Sequence, residues 1–217
     1  MDKKVIDVVK KAYDRMSDKE KLAFGIAFGA HTGQGQMDYA GLEYIGHPVT
    51  VYLGCDTEDE RIVALLHDVV EDTKVTLEDL SMFFDEKIIE ALRVISHPKK
   101  YDKKQYMIDV KNNPIARKVK IEDLKTNMDR SRLESLLEWY DYRVENQYKH
   151  NLAFLLDDNE EKEDVMYVQM CNPDTIPCKD CKWSFLAGPT NYSCAQFKNK
   201  PYDVYYESKE CKKYIHK

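Results

Sequence analysis

Between Val5 and Leu156 the apolar residues of this chain recur at helical spacing, and that regularity excludes most folds. Val5-Ile6, Val8-Val9 and Ala12-Tyr13 fall on one side of a helix, and Ile88, Ile89, Leu92 and Ile95 do so further on. No stretch of the region alternates apolar and polar residues as a pair of half-buried strands does. Start signals punctuate the pattern. Ser17 with Glu20 three residues later is a capping box, opening a helix through Leu22, Ile26 and Ala30 towards His31. A Gly- and Gln-rich loop follows from Thr32 to Gly41, and Pro48 stands at the expected first position of the next helix, ahead of Val49, Val51 and Leu53. Thr57 caps a strong helix expected to run from Glu58 to Val70, and Thr76 opens a short one. Residues 85–96, Lys103 to Lys111, Pro114 to Met128, and a long segment from Ser131 to Leu156 complete the helical set. The expected fold class is all-α.

The chain has 217 residues, enough for one ordinary domain with a small appendage. From Asp157 to Asp164 it turns acidic and loses its apolar period. The expected organisation is therefore a helical domain over 1–156, a linker over 157–174 and a small module over 175–217. No apolar run is long enough to cross a bilayer, and Met1-Asp2-Lys3-Lys4-Val5 opens no signal peptide, so the expectation is a cytoplasmic protein without a membrane partner. A net charge of −6 argues against a nonspecific nucleic-acid binder, which needs a basic face. The oligomeric state is not legible.

Five of the six cysteines lie within 171–217, and without a secretory signal that crowding favours metal binding over disulfides. Cys178-x2-Cys181-x12-Cys194-x16-Cys211 supplies four thiolates for a structural zinc site, in a module with little else to hold it together. An iron–sulfur cluster uses the same four ligands. Cys171 is spare, and Cys55 reads as a small core residue.

The chemistry concentrates in His67-Asp68-Val69-Val70-Glu71-Asp72-Thr73. On a helix, His67 lies near Glu71, and Asp68 near Glu71 and Asp72, while Leu65, Leu66, Val69 and Val70 call for burial. Three carboxylates and an imidazole on one side of such a helix need a positive partner, or else form a plain solvated acidic face. A divalent cation is such a partner, and mixed imidazole and carboxylate ligands suit Mn, Fe or Zn. A bound metal would acidify a ligated water. His47 stands at the mouth of another helix. Asp123 shares a helix face with Lys120 and Asn127. His47, His67, Asp68 and Asp123 thus offer two nitrogens and two carboxylates from three distant segments. His31 reads as a helix-end histidine with a local hydrogen bond, and His97, His150 and His216 as surface residues.

Four stretches together make the pattern recognisable: Ala30-His31-Thr32-Gly33-Gln34; Gly41-Leu42-Glu43-Tyr44-Ile45-Gly46-His47-Pro48; the run Leu65 to Thr73; and Asn113-Pro114-Ile115-Ala116 through Lys120-Ile121-Glu122-Asp123. Over roughly residues 20–135 the chain resembles the HD superfamily. More closely it resembles the RelA/SpoT-type hydrolase domain, which removes the 3′-pyrophosphate from the alarmone (p)ppGpp. The resemblance implies an HD-domain helical bundle, with His47, His67, Asp68 and Asp123 around a metal that is commonly Mn²⁺. It implies that Glu71 and Asp72 position or deprotonate the attacking water and that Asn127 contacts substrate. Three departures stand out. Gln36-Met37-Asp38 replaces a basic Arg-Lys pair, Glu43 stands where Pro is usual, and Leu124-Lys125-Thr126 precedes Asn127 in place of Arg-Leu-His. Lys120, helped by Lys125, Arg130 and Arg132, is then the available cation for phosphate. The expected function is a metal-dependent phosphohydrolase acting on a small-molecule nucleotide, a nucleoside polyphosphate such as (p)ppGpp. The alternatives are another nucleotide or phosphate ester, and a non-catalytic nucleotide- or partner-binding regulatory module.

Overall fold

The computed structural model describes residues 2–38, 41–96, 103–132, 138–156, 184–188 and 191–194. The chain divides into two units, Met1–Val165 and Met166–Lys217. In the first, the described residues form helices α1 (Lys3–Tyr13), α2 (Asp18–Thr32), α3 (Gly46–Leu53), α4 (Glu58–Leu66), α5 (Val69–Asp72), α6 (Leu77–Ser81), α7 (Glu86–Ile95), α8 (Lys103–Asn112), α9 (Pro114–Met128), α10 (Glu138–Arg143) and α11 (Lys149–Leu156). The starts are local chemistry. Ser17 with Glu20, Thr57 with Glu60 and Thr76 with Asp79 each form a reciprocal capping box, satisfying amide groups that a helix end leaves open. Asn113 caps α9, and Pro114 sits in its first turn, where no helical hydrogen bond is lost.

Helix α4 is the centre. Ile62, Val63, Ala64, Leu65 and Leu66 are all fully buried, and α2, α3, α7 and α9 pack around them. Each large aliphatic side chain buried there contributes roughly 1.5–3 kcal/mol. Beneath the surface, Glu20 is only 1% exposed and meets Arg61 Nε at 2.5 Å, which ties α2 to α4.

Three helices differ from the sequence expectation. The helix expected from Glu58 to Val70 ends at Leu66, and a new helical turn begins at Val69. Asp68 sits between them at φ −94°, ψ −9°, the sparsely populated bridge between helix and strand where active-site residues are often found. On an unbroken helix, adjacent residues point about 100° apart and do not face each other. The break lets His67 and Asp68 turn towards one site. The long segment expected over 131–156 is also interrupted. It comprises a 3-10 turn at Arg130–Arg132, then α10, a π-helical turn at Val144–Tyr148, and α11. The π turn adds a residue to the spiral, and Val144, Gln147 and Tyr148 are all buried in the stretch that packs against α9. Helix α3 starts at Gly46, two residues before the start expected at Pro48, which stands in the first turn, where its missing N–H costs no helical hydrogen bond.

In the second unit the described residues form an antiparallel pair, β1 (Ser184–Gly188) and β2 (Asn191–Cys194). Phe185 pairs with Ser193 and Leu186 with Tyr192, residues that suit a pleated surface, with an irregularity between Leu186 and Gly188. Cys194 ends β2, while Cys178, Cys181, Cys211 and the expected linker over 157–174 lie outside the described residues. Among the described residues no helix is long and apolar enough to cross a membrane.

Candidate metal centre

Three helix segments converge on one buried point. His47 comes from the first turn of α3, His67 from the end of α4, and Asp123 from the middle of α9. Each offers one ligand atom, and the three atoms lie within 4.8 Å of one another. His47 Nε2 is 3.1 Å from Asp123 Oδ1. Asp68 Oδ2 completes the group, 3.0 Å from His67 Nε2 and 3.6 Å from His47 Nε2. All four ligands expected from the sequence are thus brought together.

The hydrogen bonds around the cluster fix its orientation. His67 Nδ1 donates to the Ala64 carbonyl at 2.8 Å. A carbonyl only accepts, so the proton of a neutral ring sits on Nδ1 and the Nε2 lone pair faces the cluster. That Nε2 is buried, and although Asp68 Oδ2 stands nearby, no described group makes a hydrogen bond of proper direction to it. Once a cation displaces its Nε2 proton, an imidazole aimed into a knot of carboxylates, with its other nitrogen held by a carbonyl, supplies a donor set that suits a first-row divalent cation.

Each carboxylate is also anchored. Asp123 is 3% exposed, Lys120 Nζ stands 2.8 Å from its Oδ2, and Asn127 Nδ2 donates to its Oδ1 at 2.6 Å. Lys120 and Asn127, expected to meet substrate, therefore both contact Asp123 one helical turn away on either side. Tyr44, one turn before His47, donates its hydroxyl to Asp68 Oδ2 at 2.5 Å, and its ring lies against those of His31 and His47. Its signal in the sequence was the i, i+3 spacing to His47.

The charges respond to this packing. Burial would raise the Asp123 carboxyl, but Lys120 and the two histidines overcome it and hold the group well below the carboxylate range. Burial would likewise raise Asp68, and His67 and His47 push it down. Burial would lower His67, yet Asp68 and Asp123 lift it to about 9. The point between these residues thus favours positive charge strongly. Burial and Asp68 push the Tyr44 phenol far upward, so it remains a donor.

Glu71 and Asp72 lie on α5, exposed at the rim. Burial of its carboxyl and the neighbouring Asp68 raise Asp72 above its ordinary value, opposed by a hydrogen bond from Gln36. His31 is buried at the end of α2, as a local hydrogen-bonding residue, and burial lowers its pKa. Cys55 is buried, its thiol directed at the Val51 carbonyl.

Among its described residues the first unit is helical, and a His/His-Asp/Asp cluster is drawn from three of its helix segments. No protein-family model matches the chain. It is 34% identical over 82 residues to the bifunctional (p)ppGpp synthase/hydrolase SpoT of Escherichia coli K12. It is equally similar to the guanosine-3′,5′-bis(diphosphate) 3′-pyrophosphohydrolases of Escherichia coli O157:H7 and Shigella flexneri. These matches cover 35% of this chain and span 11% of the length of each curated relative. A solved structure described as a metazoan ortholog of SpoT that hydrolyzes ppGpp and plays a role in starvation responses superposes with a TM-score of 0.50 at 22% identity. The superposition covers 66% of this chain and 88% of that one. The helical unit shares its fold with that metazoan SpoT ortholog.

Proposed function

We propose that this chain is a metal-dependent phosphohydrolase acting on a nucleoside polyphosphate such as (p)ppGpp, at its 3′-pyrophosphate. The observation that carries the reading is the buried convergence of His67 Nε2, His47 Nε2 and the Asp68 and Asp123 carboxylates on one point. These four residues would hold one divalent cation, Mn²⁺ by preference. When bound, the ion supplies Lewis-acid polarisation of a phosphoryl oxygen and acidifies water. Around it, Tyr44, Lys120 and Asn127 keep the ligand carboxylates oriented. The Lys120 ammonium has three N–H donors and the Asn127 amide two, so contact with Asp123 leaves donors for phosphoryl oxygens. Of the exposed pair on α5, Glu71 or Asp72 takes the proton of the attacking water. A bond forms between that oxygen and phosphorus, the bond from phosphorus to the ribose 3′-oxygen breaks, and the leaving oxygen ends as a hydroxyl.

The similarity to curated 3′-pyrophosphohydrolases supports the substrate class. The organisation into a hydrolase domain over 1–156, a linker over 157–174 and a four-cysteine zinc module over 175–217 remains part of the proposal, as does a cytoplasmic location.

The test is product analysis on Mn²⁺-loaded protein with ppGpp, pppGpp and a panel of simpler nucleotides and phosphate esters. Release of pyrophosphate from ppGpp, abolished in Asp68→Ala, is the expected result. Turnover of a simpler ester alone would move the substrate to that ester. Metal binding with no turnover of any compound would leave a nucleotide- or partner-binding module instead.

A further inference from the structure

A hydrogen-bonded chain runs from the core to the rim of the site through the loop between α2 and α3. At Gly35 the backbone takes φ +63°, a conformation glycine adopts without strain, and doubles back over the end of α2. Gln36 is then pinned at both backbone groups: its N–H donates to the His31 carbonyl at 3.2 Å, and its carbonyl accepts from the Tyr44 N–H at 3.0 Å. Its side chain spans two functional elements. Oε1 lies 2.7 Å from His31 Nδ1, and Nε2 donates to Asp72 Oδ2 at 3.3 Å.

Donor arithmetic allows one orientation. An ionised carboxylate only accepts, so the amide nitrogen must face Asp72. The amide oxygen therefore faces His31, whose Nδ1 must carry the proton. His31 is 1% exposed, and its Nε2 is buried without a hydrogen-bond partner among the described residues, as expected of the unprotonated nitrogen of that tautomer. Turning the amide over would set an oxygen against the Asp72 carboxylate. A buried, single-tautomer imidazole thus locks an amide, and the amide holds one oxygen of an exposed carboxylate.

We infer that Gln36 is a positioning residue that fixes Asp72 through the chain His31–Gln36–Asp72, leaving Asp72 Oδ1 to accept the proton of the attacking water. The inference rests on the phosphohydrolase reading and deepens it, assigning the proton-accepting role within the Glu71–Asp72 pair to Asp72.

The test is Gln36→Met, close in size but without an amide, assayed for kcat, KM, bound Mn²⁺ and thermal melting on the full chain. A misplaced reacting group costs on the order of 100-fold in rate. The expected result is a fall in kcat of about 10- to 100-fold, with KM and metal content unchanged and a loss of stability no larger than that of one buried donor left without its acceptor. On an Asp72→Asn background the same substitution should cost less than about twofold further, because residues acting as one unit are not additive. Full activity in Gln36→Met, or an equal loss on the Asp72→Asn background, overturns the inference. A readout independent of turnover is the His31 ring, assigned by loss of its signal in His31→Asn. Long-range proton–nitrogen NMR should show the Nδ1–H tautomer in the wild type and its loss in Gln36→Met, and an Nε2–H tautomer in the wild type overturns the chain. Metal-loaded wild type that hydrolyses nothing in the panel overturns the phosphohydrolase reading and the catalytic purpose of Gln36 with it, while the tautomer separately reports whether the hydrogen bonds exist.

Discussion

The Tyr44 hydroxyl donates to Asp68 Oδ2 at 2.5 Å, holding in place a carboxylate oxygen that lies 3.0 Å from the buried Nε2 of His67. A group that orients a metal ligand typically governs affinity by 10- to 100-fold. Tyr44→Phe keeps the ring against His31 and His47 and removes only that donor. We expect Mn²⁺ affinity, measured by isothermal titration, to fall by about 10-fold or more. Stability in urea should fall by no more than about 1 kcal/mol, the net worth of one hydrogen bond. Unchanged affinity would mean the contact does not orient Asp68.

Metal binding should also be visible as stability. A cation that binds the folded chain and not the unfolded one adds about 2.7 kcal/mol at a concentration 100 times its Kd. For a domain of this size that corresponds to a rise of about 5–10 °C in melting temperature. Differential scanning calorimetry of chelator-treated protein, with and without added Mn²⁺, should show this rise, and Asp68→Ala should abolish it. A shift of the same size in Asp68→Ala would place the stabilising ion elsewhere.

The parts legible in the sequence are those whose cause is local. Ser17 with Glu20, Thr57 with Glu60 and Thr76 with Asp79 announce helix starts because each cap is complete within four residues. His47, His67, Asp68 and Asp123 were legible as a set because two imidazoles and two carboxylates from three segments match the donor types that suit a divalent cation. The break at His67–Asp68 was not legible. Nothing in Leu66-His67-Asp68-Val69 is a helix breaker, and the residues are turned by the cluster they join, not by their own preferences. Lys120 and Asn127 carried the right chemistry, yet their first contact is with Asp123, because one helical turn separates each from it. Gln36 gave only the signal of an absent cation. Its two partners come together through the fold of a glycine loop that sequence periodicity does not describe.

Cys55 should be chemically silent in the folded chain. Its side chain is buried against the Val51 carbonyl, and burial, reinforced by Glu60 and Glu122, pushes the thiol up to about 12. The thiolate is the reactive form, and at pH 8 roughly one molecule in ten thousand would carry it. Iodoacetamide followed by peptide mapping should leave Cys55 unmodified under native conditions and alkylate it in denaturant. Rapid native labelling of the Cys55 peptide would contradict the burial.

The pair Glu20–Arg61 is the clearest stability test away from the site. The Glu20 carboxylate is nearly inaccessible, yet it takes the Ser17 N–H at 2.7 Å, Arg61 Nε at 2.5 Å and the Tyr52 hydroxyl at 3.4 Å. It thus closes the α2 cap and joins α2 to α3 and α4 at one point. Arg61 is partly exposed and also donates to the Asp56 carbonyl at 3.0 Å, so its own desolvation is modest. Breaking a buried pair from one side leaves the other charge uncompensated, which is worse than removing both. Arg61→Leu should therefore destabilise the chain by about 3 kcal/mol in urea unfolding. Glu20→Gln should cost less, because the amide retains an acceptor for the Ser17 N–H and carries no charge. Combining Arg61→Leu with Glu20→Gln should recover part of the loss, since no buried charge then remains. A double variant no more stable than Arg61→Leu alone would show that Arg61 acts by packing over the Tyr52 ring and not by neutralising Glu20.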